Sequence, residues 1–281
     1  MTRHGAPKES GRSVIVDEHR AEAPGRPRLL LTNDDGIESP GLRLLAGRLA
    51  ARHDLVVVAP DDDWSGSGTA LGRFDPEKGV RMRAADFDGV EAYTVAGPPG
   101  LAVTSAALGA FGRPPDLVVS GVNLGMNTGH SVIHSGTVGA VLTARTFGSH
   151  GIAMSLARSD PWHWETAVEV AEGVVDWLLA QHRPPLVLNV NVPALPLAQV
   201  RGTTWARLDQ FGHIRVATTD EPGERLQFEV AGSDSGRHPE SDTALCRDGW
   251  VTLTPLSPVE AEPFPSVPAG SLWQRSPATS G

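Results

Sequence analysis

The chain of 281 residues has a single cysteine, Cys246, so it can close no disulfide within itself and build no cysteine-based zinc cluster. Lysine is almost as scarce, at Lys8 and Lys78 alone. No apolar run is long enough to cross a bilayer, and residues 1–27 contain no apolar core of signal-peptide length. The net charge of −9 comes with no basic stripe, which argues against general nucleic-acid binding. Neither a Gly-Lys-Ser/Thr phosphate loop nor a Gly-x-Ser-x-Gly nucleophile elbow occurs. These absences leave a cytoplasmic protein acting on something small as the default expectation.

The most informative stretch is RLLLTNDDGIESPG, Arg28–Gly41. Leu29, Leu30 and Leu31 form a short continuous apolar run, the pattern of a strand buried on both faces. The run breaks into Thr32-Asn33-Asp34-Asp35-Gly36, and a helix is expected to follow. Ser39 suits its N-cap, Pro40 its first position, and Leu42, Leu45 and Leu49 recur at helical spacing. Two adjacent carboxylates thus end a buried strand, where open α/β sheets bind their ligands. Their mutual repulsion is relieved by a bound cation. Short Asn/Asp/Gly clusters also cap turns with no metal at all, and Asp-Asp-Gly by itself fits both readings equally. A signalling receiver domain also carries paired acids here, but it needs a lysine on a later strand, and neither lysine follows one.

Further apolar runs at Asp54–Pro60, Asp116–Asn123, Ile152–Leu156 and Leu186–Pro193 read as core strands, and Val80–Val95 as a pair of short ones. Helices are expected from Gly97 to about Phe111, from Ser135 to near Gly148, and over Thr166–Gln181. In the last, Val168, Val170, Val174, Val175, Leu178 and Leu179 make one apolar side. Strand alternating with helix predicts an α/β fold, a mostly parallel sheet with helices on both faces. After about Pro196 the alternation stops. Short strand-like pieces at Ile214–Thr218, Leu226–Val230 and Trp250–Thr254 suggest a C-terminal β-rich arm. The expected division is an extension at 1–27, an α/β domain at 28–199, the arm at 200–259 and a loose tail at 260–281.

Three loops at carboxyl ends of expected parallel strands are rich in hard oxygen donors and poor in His and Cys. They are Asn33-Asp34-Asp35-Gly36, Asp63-Trp64-Ser65-Gly66 and Ser120-Gly121-Val122-Asn123. Such donors suit Mg²⁺, Mn²⁺ or Ca²⁺ rather than Zn²⁺ or Cu²⁺. Ser135-Gly136-Thr137 adds a helix N-terminus whose free N–H groups and dipole favour a phosphate. A cation beside an anion-binding helix end is what hydrolysis of a phosphate ester requires: the cation polarises a phosphoryl oxygen and the helix donors stabilise developing charge.

In order and spacing, LLLTNDDGIESPGL, VVVAPDDDWSGSG, DLVVSGVNLGMNTG, HSGTVGAVLTARTFG and GWVTLTPL resemble the SurE family of metal-dependent survival-protein phosphatases. The resemblance runs from about Arg28 to Leu256. It implies a Rossmann-like core and 5′/3′-nucleotidase activity on nucleoside monophosphates. It also implies one divalent cation per subunit (Mg²⁺ or Mn²⁺, with Ca²⁺ able to take its place in a crystal) and a homodimer or tetramer with swapped C-terminal segments. Carried over by position, it makes Asp34, Asp35, Ser65 and Asn123 the metal ligands, with Asp34, Asp35 and Asn123 catalytic. Asn33, Gly36, Ser65, Asn127, Ser135, Gly136 and Thr137 are the expected substrate and phosphate contacts, Gly36 by permitting a positive φ. Plainer readings stand beside these: Ser65 as an ordinary loop serine, Asn127 as stabilising its own loop, Ser135 and Thr137 as helix-start residues. His130 and His134 could protonate a leaving alcohol, and Trp64 could stack on a base or pack on the protein.

Several positions depart from the family pattern. Gly97-Pro98-Pro99 stands for Gly-Thr-Pro, and Ser65-Gly66-Ser67-Gly68-Thr69-Ala70 for Ser-Gly-Ala-Ser-Asn-Ser. Trp64 replaces an arginine, His130 an acidic residue, His134 a tyrosine and Thr143 a glutamate. The metal set is intact and the substrate loops are altered. The expected function is therefore a phosphomonoesterase acting on nucleoside monophosphates. The alternatives are a phosphatase specialised for one phosphorylated biosynthetic intermediate and a metal-binding scaffold without turnover.

Overall fold

Leu29, Leu30 and Leu31 are all fully buried, and they alternate between two separate apolar clusters. Leu29 and Leu31 face one cluster and Leu30 the other, as a central strand between two helical layers requires. The computed structural model in which this is seen describes residues 26–258 except 74, 76, 182–183, 211–213, 218–226 and 231–237. The tail expected at 260–281 and all but the last two residues of the extension lie outside the described residues.

In chain order the elements are β1 (Arg28–Thr32), α1 (Pro40–Ala50), β2 (Asp54–Pro60), β3 (Met82–Ala84), β4 (Glu91–Val95), α2 (Pro99–Ala107), β5 (Leu117–Leu124), α3 (Gly136–Thr146), β6 (His150–Leu156), α4 (Trp164–Leu179), β7 (Val187–Val192), β8 (Thr203–Trp205), β9 (Ile214–Ala217), β10 (Gln227–Val230), α5 (Asp242–Arg247) and β11 (Val251–Leu256). Nine strands form one sheet in the order β3-β4-β2-β1-β5-β6-β7-β11-β8, and β9 pairs with β10 alone. From β4 through β7 every pairing is parallel. β3 and β11 run antiparallel to β4 and β7. The sheet is mixed but mostly parallel, the α/β class expected.

The chain moves outward from β1 through β2 to β4 and then returns to the other side of β1 with β5. The order therefore reverses between β1 and β5, whose carboxyl ends meet where Thr32 lies opposite Ser120. That reversal opens the crevice in which such sheets bind ligands. α1 and α4 cover one face with Leu42, Leu45, Leu49, Val175 and Leu178. α2 and α3 cover the other with Ala102, Val103, Ala106, Val138 and Val141. Each fully buried leucine contributes about 1.5–3 kcal/mol, which makes the frame around the crevice stiff.

Local differences from the expected elements have physical causes. α2 stops at Ala107 rather than near Phe111, because Gly109 takes up φ +87° just past its end. Ser39 occupies the N-cap of α1 but makes no capping bond, and its Oγ is buried without a partner. Ser135 and Ser241 do cap, accepting the N–H groups of Val138 and Ala244. A 3₁₀ turn over Gly129–His134 replaces plain loop before α3. β8 and α5 were not expected, and β8 and β11 join the main sheet. Among the described residues no helix is long and apolar enough to cross a membrane.

Candidate active site

The Asn33–Gly36 loop is fastened before any ligand arrives. The Asn33 side-chain amide donates to the Gly36 carbonyl at 2.9 Å, and Gly36 takes the left-handed φ of +93° that the sequence called for. Ile37 N–H donates to the Pro60 carbonyl at 3.0 Å and Trp64 N–H to the Asp34 carbonyl at 2.7 Å. These bonds stitch the loop after β1 to the loop after β2, bringing Asp34 and the Ser65 stretch together.

Asp34 is 3% exposed. Its Oδ1 accepts the Thr137 hydroxyl at 2.6 Å, and the Thr137 backbone N–H reaches the same carboxylate. Desolvation outweighs these bonds and holds the Asp34 carboxyl above its ordinary range, with the nearby negative charge of Asp63 adding to the effect. Asp35 is half-buried, and its Oδ2 is enclosed with no hydrogen-bond partner. Burial first, then the charges of Asp34 and Asp63, push its pKa up to about 7. Two adjacent carboxylates that resist ionisation for want of a countercharge, one with an orphaned oxygen, fit a cation. Asn33 Oδ1 is a further buried oxygen without a partner.

The neutral donors agree with this. Asn123 commits its amide N–H to the Gly125 carbonyl at 2.8 Å, which leaves Oδ1 as the atom able to ligate. Ser65 is exposed, and its hydroxyl and N–H both donate to Asp63 Oδ1 at 2.7 Å, holding Asp63 below the usual carboxylate range. Among the described residues no three His, Cys, Asp or Glu side chains gather as a metal-holding group. A cation at this place would have two carboxylates, neutral oxygens and water, the environment of a hard divalent ion.

The start of α3 lies directly against this pair. A Cβ at Gly136 would stand 2.7 Å from Asp34 Cβ, from Asp34 Oδ2 and from Ser67 Oγ, and a Cβ at Gly139 would overlap the Gly68 carbonyl. The Gly-x-x-Gly spacing thus lets Asp34 and the Ser65 loop touch the helix end, whose positive dipole favours the carboxylate. Thr137, expected at a phosphate, is fully buried and bonded to Asp34. No sequence signal marks that contact, which spans 103 positions.

Asn127 faces the sheet. Its N–H donates to Asn191 Oδ1 (2.9 Å), its side-chain amide to Ser155 Oγ (3.0 Å), and its carbonyl accepts from Asn189 (2.8 Å) and Asn191 (2.9 Å). His130 and His134 are exposed on the 129–134 turn. The Asp61–Asp63 run is exposed, yet Asp63 acts electrostatically on both carboxylates. A groove of about 300 Å³ between α1 and α4, lined by Leu44, Gly47, Ala51, Trp164 and Val168 among others, contains none of these residues.

The family described as survival protein SurE matches residues 29–213, more than half of the chain. The chain is 36% identical over 234 residues to a 5′-nucleotidase SurE of Chloroflexus aggregans, covering 81% of this chain and 92% of that one. It is 33% identical over 250 residues to a 5′-nucleotidase SurE of Aeromonas hydrophila, covering 88% and 98%. The crystal structure of the SurE protein from Aquifex aeolicus superimposes with a TM-score of 0.70 at 32% identity, covering 82% of this chain and 93% of that one. The crevice between β1 and β5, with Asp34 and Asp35 at its base, is thus carried on a chain that belongs to the SurE family.

Proposed function

We propose that the protein is a cation-dependent phosphomonoesterase that hydrolyses nucleoside 5′- and 3′-monophosphates to nucleoside and phosphate. The observation that carries this reading is the Asp34–Asp35 pair at the sheet's reversal point, with Asp35 Oδ2 buried and unpartnered. The relatives named 5′-nucleotidase supply the substrate class. Asp34, Asp35, Ser65 and Asn123 would hold one divalent cation, Mg²⁺ or Mn²⁺. When bound it supplies Lewis-acid polarisation of a phosphoryl oxygen.

The remaining work belongs to the chain's own groups. Thr137 and the start of α3 fix Asp34 in one orientation. One of the two carboxylates, Asp34 or Asp35, takes a proton from the attacking water. Asn123, Ser135 and Gly136 orient the phosphate, and Asn33 and Gly36 keep the loop in shape for it. The catalytic unit includes β8 and β11, which complete the main sheet, and the β9–β10 pair acts as an arm for substrate and self-association, in a homodimer or tetramer. Light scattering on the purified protein measures that state.

A second reading, one specialised phosphorylated intermediate as substrate, is favoured by Trp64 beside Asp34 and by the exposed His134 in place of a tyrosine. The test is phosphate release from nucleoside 5′- and 3′-monophosphates, sugar phosphates and an aryl phosphate, each with Mg²⁺, Mn²⁺ or chelator. Cation-dependent release favouring nucleotides is expected. Release from one non-nucleotide alone supports the specialised enzyme. Cation binding with no turnover of any substrate would contradict both.

A further inference from the structure

The turn that leads from Asn123 into α3 is held from behind by a distant part of the chain. Asp242, the first residue of α5, is fully buried. Its Oδ2 accepts the Gly129 N–H at 3.0 Å, and its Oδ1 accepts the N–H groups of Asp209 (3.0 Å) and Thr243 (2.8 Å). The Asp209 carbonyl accepts the next N–H of the turn, that of His130, at 3.2 Å, and the Asp209 carboxylate accepts the Ser241 hydroxyl at 3.2 Å. Asp209 and Asp242 are also where the chain enters and leaves the stretch carrying β9 and β10, and Arg207 bridges to Ser241 beside them. On its other side the turn meets the Ser65 loop: His134 accepts the Gly68 N–H at 3.1 Å, and a Cβ on Gly68 would stand 2.8 Å from the Ile133 carbonyl.

Helix capping does not explain Asp242, since Ser241 already serves that end of α5. Burying a carboxylate costs several kcal/mol. What the structure gains is a charge-assisted bond to Gly129, 113 positions away. We infer that Asp242 is a positioning residue for the active site. By gripping Gly129, it sets where the 129–134 turn stands against the Ser65 loop, whose Gly68 N–H the His134 carbonyl accepts. This inference rests on the phosphomonoesterase reading given above.

Asp242→Asn tests it, because an amide nitrogen cannot accept an N–H bond, so either the Gly129 N–H or the Asp209 and Thr243 N–H groups lose their acceptor. Three quantities are read on the full chain: hydrogen exchange of residues 125–134, KM and kcat with a nucleoside monophosphate, and the dissociation constant for Mn²⁺ by calorimetry without substrate. Faster exchange at 129–134 is expected, with KM raised about 10-fold, kcat less affected, and Mn²⁺ affinity within about 3-fold of wild type. Unchanged exchange and KM would overturn the inference. So would a parallel loss of Mn²⁺ affinity, which would mean a general disturbance. If Asp242→Asn does not fold, Asp242→Glu, which keeps both acceptors one methylene further out, must give the same split between KM and Mn²⁺ affinity. A wild-type protein that released no phosphate from any monophosphate would overturn the functional reading alone. Exchange at 129–134 would then still decide whether Asp242 anchors the turn.

Discussion

Along β1, β2 and β5 the side chains facing the helices are leucine and valine almost throughout, whereas the β7–β11 flank buries Asn189, Asn191, Thr252 and Thr254. Both flanks reach the same crevice. The apolar one delivers Asp34, Asp35 and Asn123 from the ends of strands locked by close packing. The polar one delivers hydrogen bonds, with Asn189 and Asn191 gripping the main chain at Asn127. Unpartnered buried atoms occur on both flanks: Thr252 Oγ1, Thr254 Oγ1 and Asn189 Oδ1 on the polar one, Thr32 Oγ1 and Ser120 Oγ on the apolar one. Each such atom costs about 1–3 kcal/mol. The apolar flank contributes mainly close packing and the polar one mainly the hydrogen bonds that hold the chain at Asn127.

Asp34→Asn should have the largest effect, lowering cation-dependent phosphate release by about 10³-fold or more while the fold is kept. Near-normal turnover of that variant would remove the carboxylates from the mechanism. Leu30→Ala empties a fully buried site in the second apolar cluster and should cost about 3 kcal/mol in denaturant unfolding. A cost under about 1 kcal/mol would contradict close packing on the apolar flank. Thr254→Val should be the mildest, neutral or stabilising by up to about 1 kcal/mol, since the hydroxyl it removes is 3% exposed at most and unbonded. A clear loss there would mean that the polar flank holds a partner for Thr254.

The same contrast explains what could be read from the sequence. Continuous apolar runs such as Leu29–Leu31 and Val56–Val58 declare buried strands, and α4 declares itself by its apolar spacing, because burial dictates those residues locally. β8 has three residues and α5 has six, too few for any period, and each is held by pairing or packing against β11. Asp34 and Asp35 were legible as a pair at a strand end. The Thr137 hydroxyl on Asp34 and the grip of Asp242 on Gly129 were not, since both join residues more than 100 positions apart.

Asp34 and Asp35 are held in a place unfavourable to their charges, as a site for a cation requires. A carboxyl with a raised folded pKa binds its proton more tightly in the native state, so cation-free stability falls as pH rises from about 4 through about 7 and makes no contribution below that window. The most direct measurement is the thermal midpoint of wild type and Asp35→Asn from pH 4 to pH 8, in chelator and in saturating Mg²⁺. In chelator the variant should overtake wild type as pH approaches 8. In Mg²⁺ wild type should gain far more than the variant, and the order should reverse. Wild type more stable than Asp35→Asn in chelator at pH 8, with both responding equally to Mg²⁺, would contradict the account.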